Sequence, residues 1–269
     1  MFICFKFICM STNSFEIQKI LEFYIMAGVD ETCGDVAFSQ TIDTPKSAAE
    51  ITKKSEVSCG NIHIALDAKK AVENANSICE DVTTIEELKK IIESFDGCSL
   101  KSTALSTVVG DGNPNAKIMF IGEAPGADED RIGRAFVGRC GQLLDKMLSS
   151  IELTRDNCYI CNVLPWRPPG NRTPADSEIA VCLPFLKKQI EIVEPDIIFA
   201  LGAVAVNTLL DCADSISKLR GKWLEYKTAK GKVVDVMAGY HPAYLLRTPA
   251  QKAKAWSDFL RLKKKIEEK

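Results

Sequence analysis

The sequence predicts a three-layer α/β/α fold around a central four-stranded parallel sheet. Two observations carry that expectation. Four short apolar runs, at 117–122 (KIMFIG), 158–163 (CYICNV), 196–202 (DIIFALG) and 233–239 (VVDVMAG), have the length and composition of strands buried on both faces. Helical patterns at 140–151 and 176–193 separate the first three, and β–α–β alternation is the mark of a parallel sheet covered by helices.

From the amino terminus, the opening MFICFKFICM is apolar but short, broken by Lys6 and followed by polar residues, so it makes a poor secretory signal; Met10 is an alternative start. Residues 15–26 place Ile17, Ile20, Leu21, Tyr24 and Ile25 at helical spacing and predict an amphipathic helix. From 32 to 76 no period is sustained, and a flexible linker with at most one short helix is expected. Regular structure resumes at 83–95 (TTIEELKKIIESF), where a Thr cap and an acidic first turn precede apolar positions 85, 88, 91, 92 and 95. The chain therefore divides into an extension, residues 1–82, and a domain, residues 83–269. Each of the four predicted strands runs into Gly-rich, Pro-rich or polar sequence, and in parallel sheets ligands bind beyond the carboxyl ends of the strands.

Composition narrows the classes. With 269 residues, 46% of them hydrophobic, the chain can bury one good-sized core, and no run of about 18 apolar residues reads as a membrane span. The eleven cysteines follow no disulfide framework and are expected to be reduced thiols of a cytoplasmic protein. Residues 117–269 carry 24 Lys and Arg against 19 Asp and Glu, whereas residues 1–116 carry 10 against 17, so the predicted sheet region is the basic part of a chain of net charge −2. That asymmetry suits a phosphate-contacting surface. No GxGxxG or GxxxxGK[ST] follows the first strand, which weighs against a nucleotide-binding enzyme.

The segments beyond the strands carry specific motifs: GEAPG at 122–126, RAFVG at 134–138, Asn162 followed by RPPGNRTP at 167–174, and YHPAYLLR at 240–247. From about Phe95 to Leu262 the chain closely resembles the family 4 uracil-DNA glycosylases. The resemblance implies a glycosylase-like α/β fold, an enzyme that flips uracil out of single- or double-stranded DNA and hydrolyses its N-glycosidic bond, and a monomer acting in base excision repair.

It also implies roles for individual residues. Phe136 stands where an aromatic ring stacks on uracil. Asn162 closes the second strand, and its amide offers a donor and an acceptor matching uracil O4 and N3–H, a pattern cytosine reverses; a turn-capping Asn is the alternative. His241, one of two histidines, is placed to donate to uracil O2 as a neutral imidazole, where negative charge collects as the bond breaks. Glu123 and Asn171 are both candidates for positioning the attacking water or stabilising the cationic sugar, and the sequence leaves both open. Glu129 is placed to crowd the C5 edge against thymine, and backbone amides near Ala124 and Gly126 to contact a uracil oxygen. Arg167, Arg172 and Arg247 are expected on phosphates. Leu245 and Leu246 are the candidate wedge for the space left by the flipped base, with buried helix packing as the alternative for either.

One part of the family pattern breaks. Most family 4 members hold a four-iron, four-sulfur cluster on four cysteines; the matching positions are read here as Cys98, Lys101, Trp166 and Cys182. Two ligands are lost, and neither an ammonium nor an indole replaces a thiolate. No cofactor or metal is expected, with Cys98 and Cys182 vestigial and Trp166 filling space. Cys158 and Cys161 are not a substitute pair, because residues i and i+3 of a strand face opposite sides. Two other readings stay open: a glycosylase acting on further deaminated bases, and a non-catalytic or covalently trapping uracil-DNA binder, although the added basic, His-bearing loop of the covalent relatives is missing.

Overall fold

The computed structural model describes residues 60–269; the helix expected at 15–26 and the alternative start lie outside them. In chain order the elements are α1 (Gly60–Cys79), α2 (Ile85–Ser94), β1 (Gly110–Gly112), β2 (Ile118–Gly122), α3 (Ala127–Ile132), α4 (Arg139–Ser149), β3 (Tyr159–Asn162), α5 (Asp176–Val193), β4 (Ile197–Leu201), α6 (Ala203–Leu210), α7 (Ile216–Leu219), β5 (Trp223–Lys227), β6 (Val233–Gly239), α8 (Pro242–Arg247) and α9 (Lys252–Glu267).

The four expected strands form the parallel centre of the sheet, in the order β3-β2-β4-β6. The sheet is larger than expected. Antiparallel strands close both edges, β1 on β3 and β5 on β6, giving six strands in a mixed sheet. Neither edge was legible: Gly110-Asp-Gly112 has no apolar residue, and β5 is only partly buried, so neither reads as a buried run.

Alternation along the strands builds two cores. Met119, Ile121, Tyr159, Cys161, Ile198 and Ala200 face α1, α2, α5 and α6. Ile118, Phe120, Cys158, Ile160, Ile197 and Phe199 face α4 and α9. Cys158 and Cys161 therefore lie in opposite layers, as the strand period requires. On the second face Phe199 packs at 5.6 Å from Phe120 and 4.9 Å from Phe259, ring to ring. Each such buried side chain contributes about 1.5–3 kcal/mol.

The helix α2 has the capping box its sequence signals, with Thr84 Oγ1 accepting from Glu87 N and Glu87 reaching back to Thr84 N. The segment read as linker gives way to α1 as far as Cys79, packed along α5 with Ala75 and Cys79 buried. Small residues on that packing face, Ala71, Val72 and Ala75, hide the helical period. The closing helix α9, also unanticipated, buries Ala255, Phe259 and Leu262.

Candidate active site

Parallel register brings the carboxyl ends of the central strands to one rim. Gly122, the last residue of β2, pairs directly with Asn162, the last residue of β3. A Cβ on Gly122 would lie 2.5 Å from Asn162 Oδ1 and 2.5 Å from Phe136 Cζ, so only glycine lets the amide and the ring converge. Two strands away, β6 runs out at Gly239, and Tyr240 leads to His241, the cap of α8. Gly202, at φ +96°, follows β4 with room for a Cβ only 3.2 Å from His241 Cβ. Beyond these strand ends lies a cavity of about 410 Å³.

Its walls hold most of the candidates: Glu123, Phe136, Asn162, Asn171 and His241 line it, joined by Ala124, Gly126 and Glu129 on one side and Arg172 and Arg247 at the mouth. Asn162 is 3% exposed, and its Oδ1 has no hydrogen-bond partner among the described residues. An orphaned buried carbonyl costs about 1–3 kcal/mol, which a ligand donor at that point would recover.

His241 Nδ1 accepts from Ala243 N at 3.1 Å, which leaves Nε2 as the protonated nitrogen. Burial, and then the Arg247 charge, lower its pKa to about 4, so the ring is a neutral donor near pH 7. Its centroid stands 5.7 Å from that of Phe136. Phe136 is held at φ +54°, a left-handed conformation costing roughly 1–2 kcal/mol in a non-glycine residue.

Glu123 and Asn171 differ. Burial raises the Glu123 pKa, and no ion pair holds its carboxylate among the described residues. The Asn171 Oδ1 already accepts from Arg167 Nε at 2.7 Å. The Glu129 carboxylate is also committed, accepting from Val137 N (2.9 Å), Gly138 N (2.8 Å) and Gly126 N (3.1 Å). That uses the Gly126 amide expected for a uracil oxygen, while Ala124 lines the same wall. Arg172 leans on Glu178 at 2.6 Å.

The wedge pair separates. Leu245 is 1% exposed and packs with Tyr240 and Ala255, so it is a core residue and not a wedge; neighbours on a helix point some 100° apart, and Leu246 is the one left partly exposed.

Residues 109–260 match the uracil DNA glycosylase superfamily. The chain belongs to that superfamily. It is 44% identical to the type-4 uracil-DNA glycosylase of Thermotoga maritima, over 61% of this chain and 86% of that one. Its identity to the type-4 enzyme of Archaeoglobus fulgidus is 40%, over 66% and 92%. A type-5 uracil-DNA glycosylase of Pyrobaculum aerophilum is 33% identical over 50% of this chain and 64% of that protein.

The residues where this superfamily member would hold a four-iron cluster do not fit one. Cys98 and Cys182 face each other with sulfurs 4.0 Å apart, but they lie in an apolar core shared with Phe95, Trp166 and Phe185. Trp166 is 1% exposed and stacks on Phe95 at 6.5 Å, and Phe95 meets Phe185 edge-on at 5.0 Å. Lys101, read as a ligand position, turns to the surface and binds Asp96 at 2.6 Å. Phe95, three residues before Cys98 rather than three after, is the side chain sharing that core with Trp166. Among the described residues no group of three or more His, Cys, Asp or Glu is placed to hold a metal.

Proposed function

We propose that this protein excises uracil from DNA, flipping the base into the cavity and hydrolysing its glycosidic bond to leave an abasic site for base excision repair. The observation that carries this reading is the unpaired, buried Oδ1 of Asn162, set between the Phe136 ring and a neutral histidine donor. Uracil stacks on Phe136, gives its N3–H to Asn162 Oδ1 and accepts from Asn162 Nδ2 at O4. As the C1′–N1 bond breaks, its electron pair moves into the ring, and His241 Nε2–H stabilises the charge gathering at O2. The sugar becomes cationic, and water adds at C1′. Glu123, unpaired and of raised pKa, is the group we assign to orient that water and take its proton. Asn171 instead fixes Arg167 beside the mouth.

Glu129 lines the cavity wall, and we assign it the exclusion of thymine at the C5 edge. Arg167, Arg172 and Arg247 contact phosphates of single- or double-stranded DNA, and Leu246 fills the vacated stack. We take the protein to act as a monomer in the cytoplasm, in keeping with the free thiols of all seven described cysteines. No helix among the described residues is long and apolar enough to cross a membrane.

Incubation with a uracil-containing oligonucleotide followed by alkali is expected to break the strand at the uracil, and to leave thymine and cytosine controls intact. An uncut uracil strand under single-turnover conditions would sink the proposal.

We further propose that the enzyme works without an iron–sulfur cluster, on the ground that among the described residues two thiols, Cys98 and Cys182, stand together where four thiolates are needed. Protein purified under anaerobic conditions is expected to be colourless and to contain no stoichiometric iron or sulfide. Iron and sulfide at about four per chain would overturn this and require ligands other than Phe95 and Trp166.

A further inference from the structure

Phe136 occupies a backbone conformation that its own side chain disfavours, inside a turn that belongs to no helix or strand. Something outside the turn must hold it there. On one side Glu129 takes the two amides that follow the ring, Val137 N and Gly138 N. On the other side stands Arg155, from the loop before β3, a residue that lines no part of the cavity.

All five N–H groups of the Arg155 guanidinium are engaged. Nη2 donates to Phe136 O, and Nη1 donates to Ala135 O at 2.9 Å. Nε donates to Asp145 Oδ1 at 2.9 Å, and the remaining N–H bonds go to Asp145 Oδ2 at 3.3 Å and to Asp111 Oδ2. Asp145 belongs to α4 and Asp111 to the edge strand β1, so two fixed elements aim the guanidinium at two consecutive carbonyls. Gly141 completes the seat, since a Cβ there would come within 1.7 Å of Phe136 O.

We infer that Arg155 is a positioning residue for catalysis: it locks the Phe136 peptide in its left-handed turn and thereby presents the ring to the extruded base. This rests on the reading that Phe136 carries the uracil face. A planar fork with five fixed donors suits two adjacent carbonyls and two carboxylates; a lysine, with one rotating ammonium, reaches only part of that set.

The test is a double-mutant cycle on single-turnover excision, with binding of abasic-product DNA and thermal melting measured alongside. Arg155→Lys is expected to slow excision by about 10–100-fold, the scale of a misplaced positioning group, without weakening affinity for abasic DNA. In a Phe136→Ala background the same change is expected to cost nothing further, because the ring it positions is gone. Asp145→Asn, which loosens Arg155 without touching Phe136, is expected to slow excision in the same ring-dependent way and serves if Arg155→Lys does not fold. Additive losses in the cycle, or losses of rate and abasic-DNA affinity in parallel, would overturn the role of Arg155 while leaving Phe136 in place. A wild-type rate for Phe136→Ala would instead remove the reading of the ring on which this inference stands.

Discussion

Asn162→Ala is expected to fold normally and to lose uracil excision by about 10²-fold or more, the scale of removing one preorganised polar partner from a buried site. The reason is specific to its burial. The amide sits in a wall where water is largely excluded, so deleting it removes both the N3–H acceptor and the O4 donor without a solvent substitute. Its loss should also remove the orphaned carbonyl, so the variant is expected to melt no lower than the wild type. Asn162→Asp keeps the shape and changes the pattern, and a gain of some cytosine excision is expected. Single-turnover rates on uracil and cytosine oligonucleotides check both; an Asn162→Ala enzyme at the wild-type rate would refute the assignment of the amide to the base edge.

His241→Ala is expected to cost a comparable factor, about 10²-fold, because the donor faces charge that exists only as the bond breaks. Its pH behaviour separates a neutral donor from an imidazolium. With the folded pKa near 4, the ring keeps one state through the neutral range, and the excision rate should not follow a titration between about pH 6 and 8. Stability carries the sign of the same shift. An unfolded histidine takes up a proton below 6.5, whereas the folded one resists until about 4, so the unfolded chain binds more protons in that window and the fold loses stability as pH falls through it. Melting curves of wild type and His241→Ala between those pH values should converge towards acid. A rate that declines from pH 6 to 8 with an apparent pKa near 6.5 would show that the charged ring is the working form.

Much of this site was legible because its chemistry is carried by residue type. Asn162 and His241 have few equivalents for pairing with a base edge or donating to a developing anion, and the first closes a predicted strand while the second follows one. The four central strands were legible for a related reason, as burial on both faces leaves continuous apolar runs. What escaped notice depends on partners far away in the chain. Arg155 meets Asp111 and Ala135, residues 44 and 20 positions distant, and two of its acceptors are carbonyls, which leave no trace in a sequence. Strand β1 exists only because Gly110–Gly112 finds β3. Lys101 was read as a position of the family pattern; that its side chain turns to Asp96, while Phe95, three residues before Cys98, packs on Trp166, depends on tertiary contacts that no sequence pattern records. Leu245 and Leu246, adjacent and chemically alike, could be told apart only by which face of α8 meets Tyr240 and Ala255.

The pairing of Gly122 with Asn162 ties base recognition to the way the sheet zips up. A strand displaced by one residue turns every side chain to the opposite layer. In β3 that would send the amide in among the packing of α5 and bring Cys161 to the cavity, with no intermediate arrangement in which the base is held half as well. Strand register is therefore an all-or-none requirement for placing the amide. Copies that differ in β3 register should divide into competent and inert molecules, distinguishable by titrating sites with product, whereas a misplaced Phe136 ring slows every copy alike.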